Sequence, residues 1–304
     1  MKTNDNIKRY EIKYRIGNDK IPEIREYIKA HTDPDPHVGD SDKVMYTVRS
    51  IYFDTRNLDF YWEKIDGLKV RKKLRIRGYN LDKGFAFLEI KRKYSNCVVK
   101  ERAKLPLVEI ENIINMLDIK QGENASACHN NQLVSNKFIY NIIKKNLLVK
   151  LLVVYEREPY IQKADPNVRV TIDKNIRSRY NPDLSDLFNG DDLTLITNDF
   201  SILELKFNNF MPKWMRSMIS DLKLRQESFS KYCEGIDACR DDLNLKAELC
   251  NRAFSIPYLL THRLFCFLML SLICLLLLFW ECSFLYFIVK RSRDIHIPVR
   301  MSTH

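Results

Sequence analysis

Residues Leu68 to Arg77 read LKVRKKLRIR, and on a strand the side chains of such a run alternate between two faces. Arg71, Lys73, Arg75 and Arg77 then stand in one row, with Val70, Leu74 and Ile76 in the other. Like charges in file repel one another unless something anionic lies along them. The chemistry such a row serves is the holding of a polyanion. Arginine offers a planar fork for phosphate oxygens and lysine a compact charge. Phosphoryl transfer asks mainly for positioning and neutralisation of charge, which these side chains supply.

The pattern recurs. Arg9 to Arg15 alternates charge with Tyr10, Ile12 and Tyr14. Glu89, Lys91 and Lys93 oppose Leu88 and Ile90. Val98–Arg102, Val154–Arg157 and Val168–Asp173 follow, and Glu204 and Lys206 then face away from Leu203, Leu205 and Phe207. Taken singly, each charged face is what a solvated strand surface looks like. Recurrence on one phase, with glutamates set among the cations, points instead to a sheet closed on itself, charged inside and apolar outside. The expected fold is α+β: an antiparallel β-barrel tunnel covered by helices. Glu204 could hold a divalent cation bridging phosphate oxygens, or pair internally with Lys206; Glu11 and Glu89 carry the same ambiguity, tilted toward pairing.

The chain has 304 residues, 45% hydrophobic and 29% charged, with a formal net charge of +11. That balance suits nucleic acid, anionic lipid or polyphosphate without choosing among them. No Gly-rich phosphate loop, HExxH or nucleophile elbow occurs, so a phosphate site must be built from side chains. The eight cysteines form no CxxC pair, which favours reduced thiols over a zinc site or disulfide framework. Base stacking requires aromatics interleaved on the cationic face, and most aromatics are read here on the apolar phase, so no nucleic-acid partner is expected.

Leu264 to Val289 is almost wholly apolar apart from Glu281, and 26 residues exceed the roughly 20 that cross a bilayer. The expected organisation is a tunnel domain over 1–236, a charged linker over 237–262, one transmembrane helix over 263–289 and a short basic tail over 290–304. The polar start of the chain shows no secretory leader, and the domain is placed on the cytoplasmic side of a single-pass membrane protein. Strands are expected at 46–54, 85–94, 97–105, 150–162, 167–176 and 201–208. Helices are expected at 21–30, 57–64, 106–117, 138–146 and 213–222. Gln121–Asn136 and Tyr180–Asn198 read as loops.

RYEIKY at Arg9–Tyr14, SIYFDT at Ser50–Thr55, LRIRGY at Leu74–Tyr79, FLEIKRK at Phe87–Lys93, KER at Lys100–Arg102, YEREPY at Tyr155–Tyr160, RVTID at Arg169–Asp173, LELKF at Leu203–Phe207 and SKY at Ser230–Tyr232 stand in one order. The ordered set, over about residues 7 to 235, resembles the VTC domain, the polyphosphate polymerase module of the vacuolar transporter chaperone complex, within the CYTH/triphosphate tunnel superfamily. The resemblance implies ATP and polyphosphate as substrates and transfer of the ATP γ-phosphate onto a growing chain. It implies a tunnel lining of Lys13, Arg75, Arg77, Lys91, Lys100, Arg157 and Arg169, with Glu204 binding Mn²⁺ or Mg²⁺. Ser230 and Lys231 match its closing phosphate contacts, and Lys64 matches a further basic position loosely. Hydrolytic tunnel relatives open with an ExExK pattern, whereas this chain has only Glu11-Ile-Lys13, which leans toward the polymerase. Partner membrane subunits are expected, because a lone span hardly forms a channel.

Overall fold

The computed structural model describes residues 9–38, 44–80, 82–94, 97–119, 132–189 and 191–239. The expected linker over 237–262 lies outside the described residues from 240 on, as do the span over 263–289 and the tail over 290–304. Among those that are described, no helix is long and apolar enough to cross a membrane.

Strand β1 (Arg9–Gly17) leads into helix α1 (Ile21–Lys29), which buries Ile21, Ile24 and Ile28 at helical spacing. Strands β2 (Thr32–Pro34) and β3 (Tyr46–Asp54), helix α2 (Asp59–Ile65), and strands β4 (Val70–Tyr79), β5 (Asp82–Tyr94) and β6 (Cys97–Pro106) follow. Helices α3 (Leu107–Ile119) and α4 (Gln132–Lys145) precede the long strands β7 (Leu148–Gln162) and β8 (Arg169–Tyr180). A short helix α5 (Asp186–Asn189), strands β9 (Thr194–Leu195) and β10 (Phe200–Asn208), and helices α6 (Lys213–Asp221) and α7 (Lys231–Ala238) complete the order.

One antiparallel sheet runs β1-β10-β8-β7-β3-β4-β5-β6, with β2 added to β7 and β9 to β8. The β7–β8 turn is an Asx turn: the Asn167 N–H donates to Asp165 Oδ1 at 2.9 Å. The sheet curls without closing as a barrel. Among the described residues no ladder joins β1 to β6, and side chains span the gap, with Lys91 Nζ on β5 3.2 Å from Glu11 Oε2 on β1. Gln226 also bridges Tyr14 on β1. The expectation of a barrel is corrected to a half-barrel with bridged edges.

Alternation sorts the two faces as read. Leu74, Ile76, Leu88 and Ile90 lie under α3 and α4 with Ile110, Phe138 and Ile142. Across the sheet, α1 and α6 cover Leu203, Leu205, Val170 and Ile172 with Ile24 and Met215. Each such fully buried aliphatic side chain stabilises the fold by about 2 kcal/mol. The concave face takes α7, whose Tyr232, Cys233 and Ile236 pack on Tyr52, Leu151, Val153 and Tyr155. A Cβ built at Gly235 would meet Leu151 Cδ2 at 2.6 Å, so a side chain here would lift α7 off β7.

Helix α4 starts at Gln132, inside the stretch read as loop, because Val134, Phe138 and Ile142 need the sheet beneath them. The segment over 180–198 likewise holds α5 and β9, which are too short to show periodicity. Strand β2 falls in a Pro-containing stretch that only its pairing with β7 makes extended.

Candidate functional site

The inner face gathers residues far apart in the chain. Glu204 on β10, 4% exposed, lies 2.9 Å from Lys206 Nζ, 3.5 Å from Arg157 on β7 and 3.8 Å from Lys13 on β1. Burial opposes its ionisation, yet Lys206, Lys13 and Arg157 hold it well below the usual carboxylate range. Asp173 on β8 is fully buried and accepts two hydrogen bonds from the Arg157 guanidinium at 2.7 and 2.8 Å. Lys231 Nζ, brought by α7, sits 2.6 Å from it. Against burial, Arg157 and Lys231 keep the Asp173 carboxyl at about 2.

A second knot centres on Glu89 of β5, 1% exposed. Its Oε2 accepts from Arg75 Nε at 2.7 Å and lies 3.9 Å from Arg77 Nε, both on β4. On β6, Lys100 Nζ and Arg102 Nε lie 2.6 and 3.3 Å from Oε1. Arg75 also donates to the Tyr52 hydroxyl at 2.9 Å, and Arg77 to Ser50 Oγ at 3.1 Å. Lys73, in the same row, donates to Ser230 Oγ at 2.7 Å, and Ser230 caps α7 by accepting from the Cys233 N–H. Lys64 reaches Ser228 on that closing segment at 2.9 Å.

Crowding of like charge marks the titration. Burial first, then neighbouring Lys13 and Lys91, bring Lys73 down to about 8. Burial with Arg75 and Arg77 brings Lys100 to about 8 in spite of Glu89. Burial alone would raise the Tyr52 phenol, but Arg75, Arg77 and Lys73 bring it to about 7.

Asp54, the acid of SIYFDT, organises the scaffold. It is fully buried and accepts the N–H groups of Thr55, Phe60 and Tyr61 at 2.7, 2.9 and 3.0 Å, capping α2. The Tyr232 hydroxyl donates to it at 2.6 Å and pins α7. Burial pushes this carboxyl up to about 6 even so.

Lys13, Arg75, Arg77, Lys91, Lys100, Arg157, Glu204, Ser230 and Lys231 are thus brought together on the inner face, and Lys64 reaches the closing segment beside them. Arg169 shares their strand face and is held by other partners: its Nε donates to the Pro166 carbonyl at 3.3 Å, and NH1 lies 3.7 Å from Asp35. Sequence reasoning passed over Asp173, Tyr52, Lys73, Arg102 and Lys206 as site residues. The alternation phase had put Lys73 and Lys206 on the correct face, whereas Asp173 shows its role only through its partners. A further correction concerns aromatics. Tyr52, Tyr79, Phe87 and Tyr155 stand on the cationic face, with Arg102 3.5 Å over the Phe87 ring and Lys231 4.7 Å over that of Tyr155. Their rings face the cations, and this arrangement removes the ground on which base stacking was discounted.

No group of three or more His, Cys, Asp or Glu suited to a metal occurs among the described residues. Three cations around Glu204 do not suit a bare dication. Glu204 would hold a dication only together with phosphate oxygens that engaged Lys13, Arg157 and Lys206 in its place. Glu11, whose Oε1 is 3.6 Å from the shared Lys13, is the second carboxylate within reach.

Fold and site together define a half-barrel protein with a buried cationic interior. The VTC domain family matches residues 8–240, and the chain belongs to it. It is 22% identical over 274 residues to vacuolar transporter chaperone complex subunit 4 of Schizosaccharomyces pombe. That alignment covers 77% of this chain and 38% of the relative, so the chain spans well under half of that protein's length. Two solved structures are similar in part. The PH1819 protein from Pyrococcus horikoshii OT3 has TM-score 0.37 and 15% identity, over 74% of this chain and 97% of its own. A protein from Bacillus halodurans has TM-score 0.40 and 9% identity, over 73% and 95%.

Proposed function

We propose that this chain is an ATP-dependent polyphosphate polymerase, moving the γ-phosphate of ATP onto a growing polyphosphate chain within the cationic interior. One observation carries the reading. Among the described residues, ten cations (Lys13, Lys73, Arg75, Arg77, Lys91, Lys100, Arg102, Arg157, Lys206 and Lys231) stand with four carboxylates (Glu11, Glu89, Asp173 and Glu204) on one partly buried face. A surplus of cations away from water is costly unless an anion completes it.

In this reading Arg75 and Arg77 grip phosphate oxygens as forks while Glu89 fixes their planes. Lys13, Arg157 and Lys231 neutralise the charge that builds on the transferred group. The terminal oxygen of the polymer forms a bond to the γ-phosphorus as the bond to the β-γ bridging oxygen breaks, releasing ADP. Glu204, with Glu11 beside it, would hold Mn²⁺ or Mg²⁺ on the phosphate, which supplies charge stabilisation there. Membership of the VTC domain family and the single glutamate ahead of Lys13 support the polymerase reading. The relative's place in a complex supports partner subunits, the apolar run over 264–289 supports a membrane anchor, and ATP as the substrate supports the cytoplasmic side for the domain.

The test is the product. The purified chain with ATP and Mn²⁺ is expected to make a phosphatase-sensitive polymer, and Glu204→Gln to stop it while leaving triphosphate binding. Free phosphate without polymer would establish a tunnel triphosphatase instead. Binding without turnover would establish a polyanion-binding module.

A further inference from the structure

The two ends of the cationic row differ. At the start of β4, Arg71 faces Lys93 across the ladder, and Lys93 is lowered first by burial and then by Arg71 and Lys64. Cations predominate at that end, with Glu11 the carboxylate that acts on Lys93. At the other end of β4, Tyr79 meets the edge of Phe87 at 5.7 Å, and the arginine over Phe87 is held on three sides. Arg102 Nε is 3.3 Å from Glu89, NH2 donates to the Tyr79 hydroxyl at 3.2 Å, and the guanidinium lies 3.5 Å over the Phe87 ring. An arginine on an edge strand ordinarily samples many rotamers. This one is fixed in plane, yet its side chain is 38% exposed.

A planar cation immobilised on an aromatic face, with its outer side open, is a stacking platform for a heteroaromatic ring. Glu89 ties that platform to the phosphate forks: the same carboxylate holds Arg102 and Arg75, whose strands lie two spacings apart, about 10 Å. A triphosphate lying on Arg75 and Arg77 with a base attached at one end has that end beside Arg102. The inorganic anion has nothing to place there.

We infer that Arg102, backed by Phe87 and oriented by Tyr79 and Glu89, binds the base of a nucleoside triphosphate. The nucleotide then enters by the aromatic end, and the phosphate polymer extends toward Arg71, Lys93 and Lys64. This rests on the polymerase reading and gives it a direction. The platform offers a flat face and no dedicated base-edge donors, so purine triphosphates are expected to bind alike.

The test compares ATP with sodium tripolyphosphate by calorimetric titration of the full chain. Arg102→Lys keeps the charge beside Glu89 and loses the plane. It is expected to weaken ATP about tenfold while tripolyphosphate stays within about twofold. Phe87→Leu, which removes the backing and leaves the charge, is the second arm and is expected to split the two ligands the same way; circular dichroism verifies folding. Equal losses for both ligands, or none for either, would overturn the inference and leave the cationic interior as a binder of phosphate. Failure of the unaltered chain to bind tripolyphosphate would bring down the polymerase reading itself.

Discussion

Glu89→Gln is the perturbation that separates a charged interior built for a ligand from one built for stability. The carboxylate is 1% exposed and holds Arg75, Arg77, Lys100 and Arg102 at 2.6 to 3.9 Å. Those cations hold its pKa far below the usual carboxylate range against the cost of burial. Removing one partner of a buried charge network costs about 3–5 kcal/mol, because the remaining charges stay buried without compensation. For a domain of this size that lowers Tm by about 10 °C. The group's folded pKa is depressed, so its contribution is present above its ordinary pKa of about 4.5 and is lost as pH falls. The variant should accordingly lack part of the acid-induced loss seen in the parent. Added tripolyphosphate should then raise Tm more in the variant than in the parent, since the anion meets one more uncompensated positive charge. Thermal unfolding by circular dichroism, with and without tripolyphosphate and across pH 3 to 7, measures all three effects. A variant whose Tm falls by under about 2 °C, or whose ligand increment is smaller than the parent's, would refute the reasoning.

Polyanion binding should take up protons near pH 8. Burial first and then surrounding cations lower Lys73 and Lys100 to about 8, cations acting against burial lower Tyr52 to about 7, and a bound anion raises each of them. Calorimetry in buffers of different ionisation enthalpy reads that uptake, and affinity should fall from pH 7 to 9; a buffer-independent heat would count against it. Tyr232→Phe strands Asp54 with one donor fewer and should cost about 1–3 kcal/mol by denaturant unfolding, with weaker triphosphate binding because Lys231 rides on the same helix. An unchanged midpoint would show that the 2.6 Å contact does not hold α7.

Alternation within single segments determined much in advance. Because a strand's side chains repeat every two residues, RKKLRIR and FLEIKRK announced which side chains share a face, and the helical spacing of Ile21, Ile24 and Ile28 announced α1. The sign of the inner surface was legible for the same reason. Tertiary structure alone decided which strands become neighbours, and hence that Asp173 meets both Arg157 and Lys231, 58 residues further along the chain, and that Arg169 pairs with Asp35. It also left the sheet open between β1 and β6, joined there by Lys91 and Glu11 instead of a ladder. Local periodicity reports the face on which a side chain stands. Its partner across the interior depends on sheet order and curl, which arise from long-range packing that no short window contains.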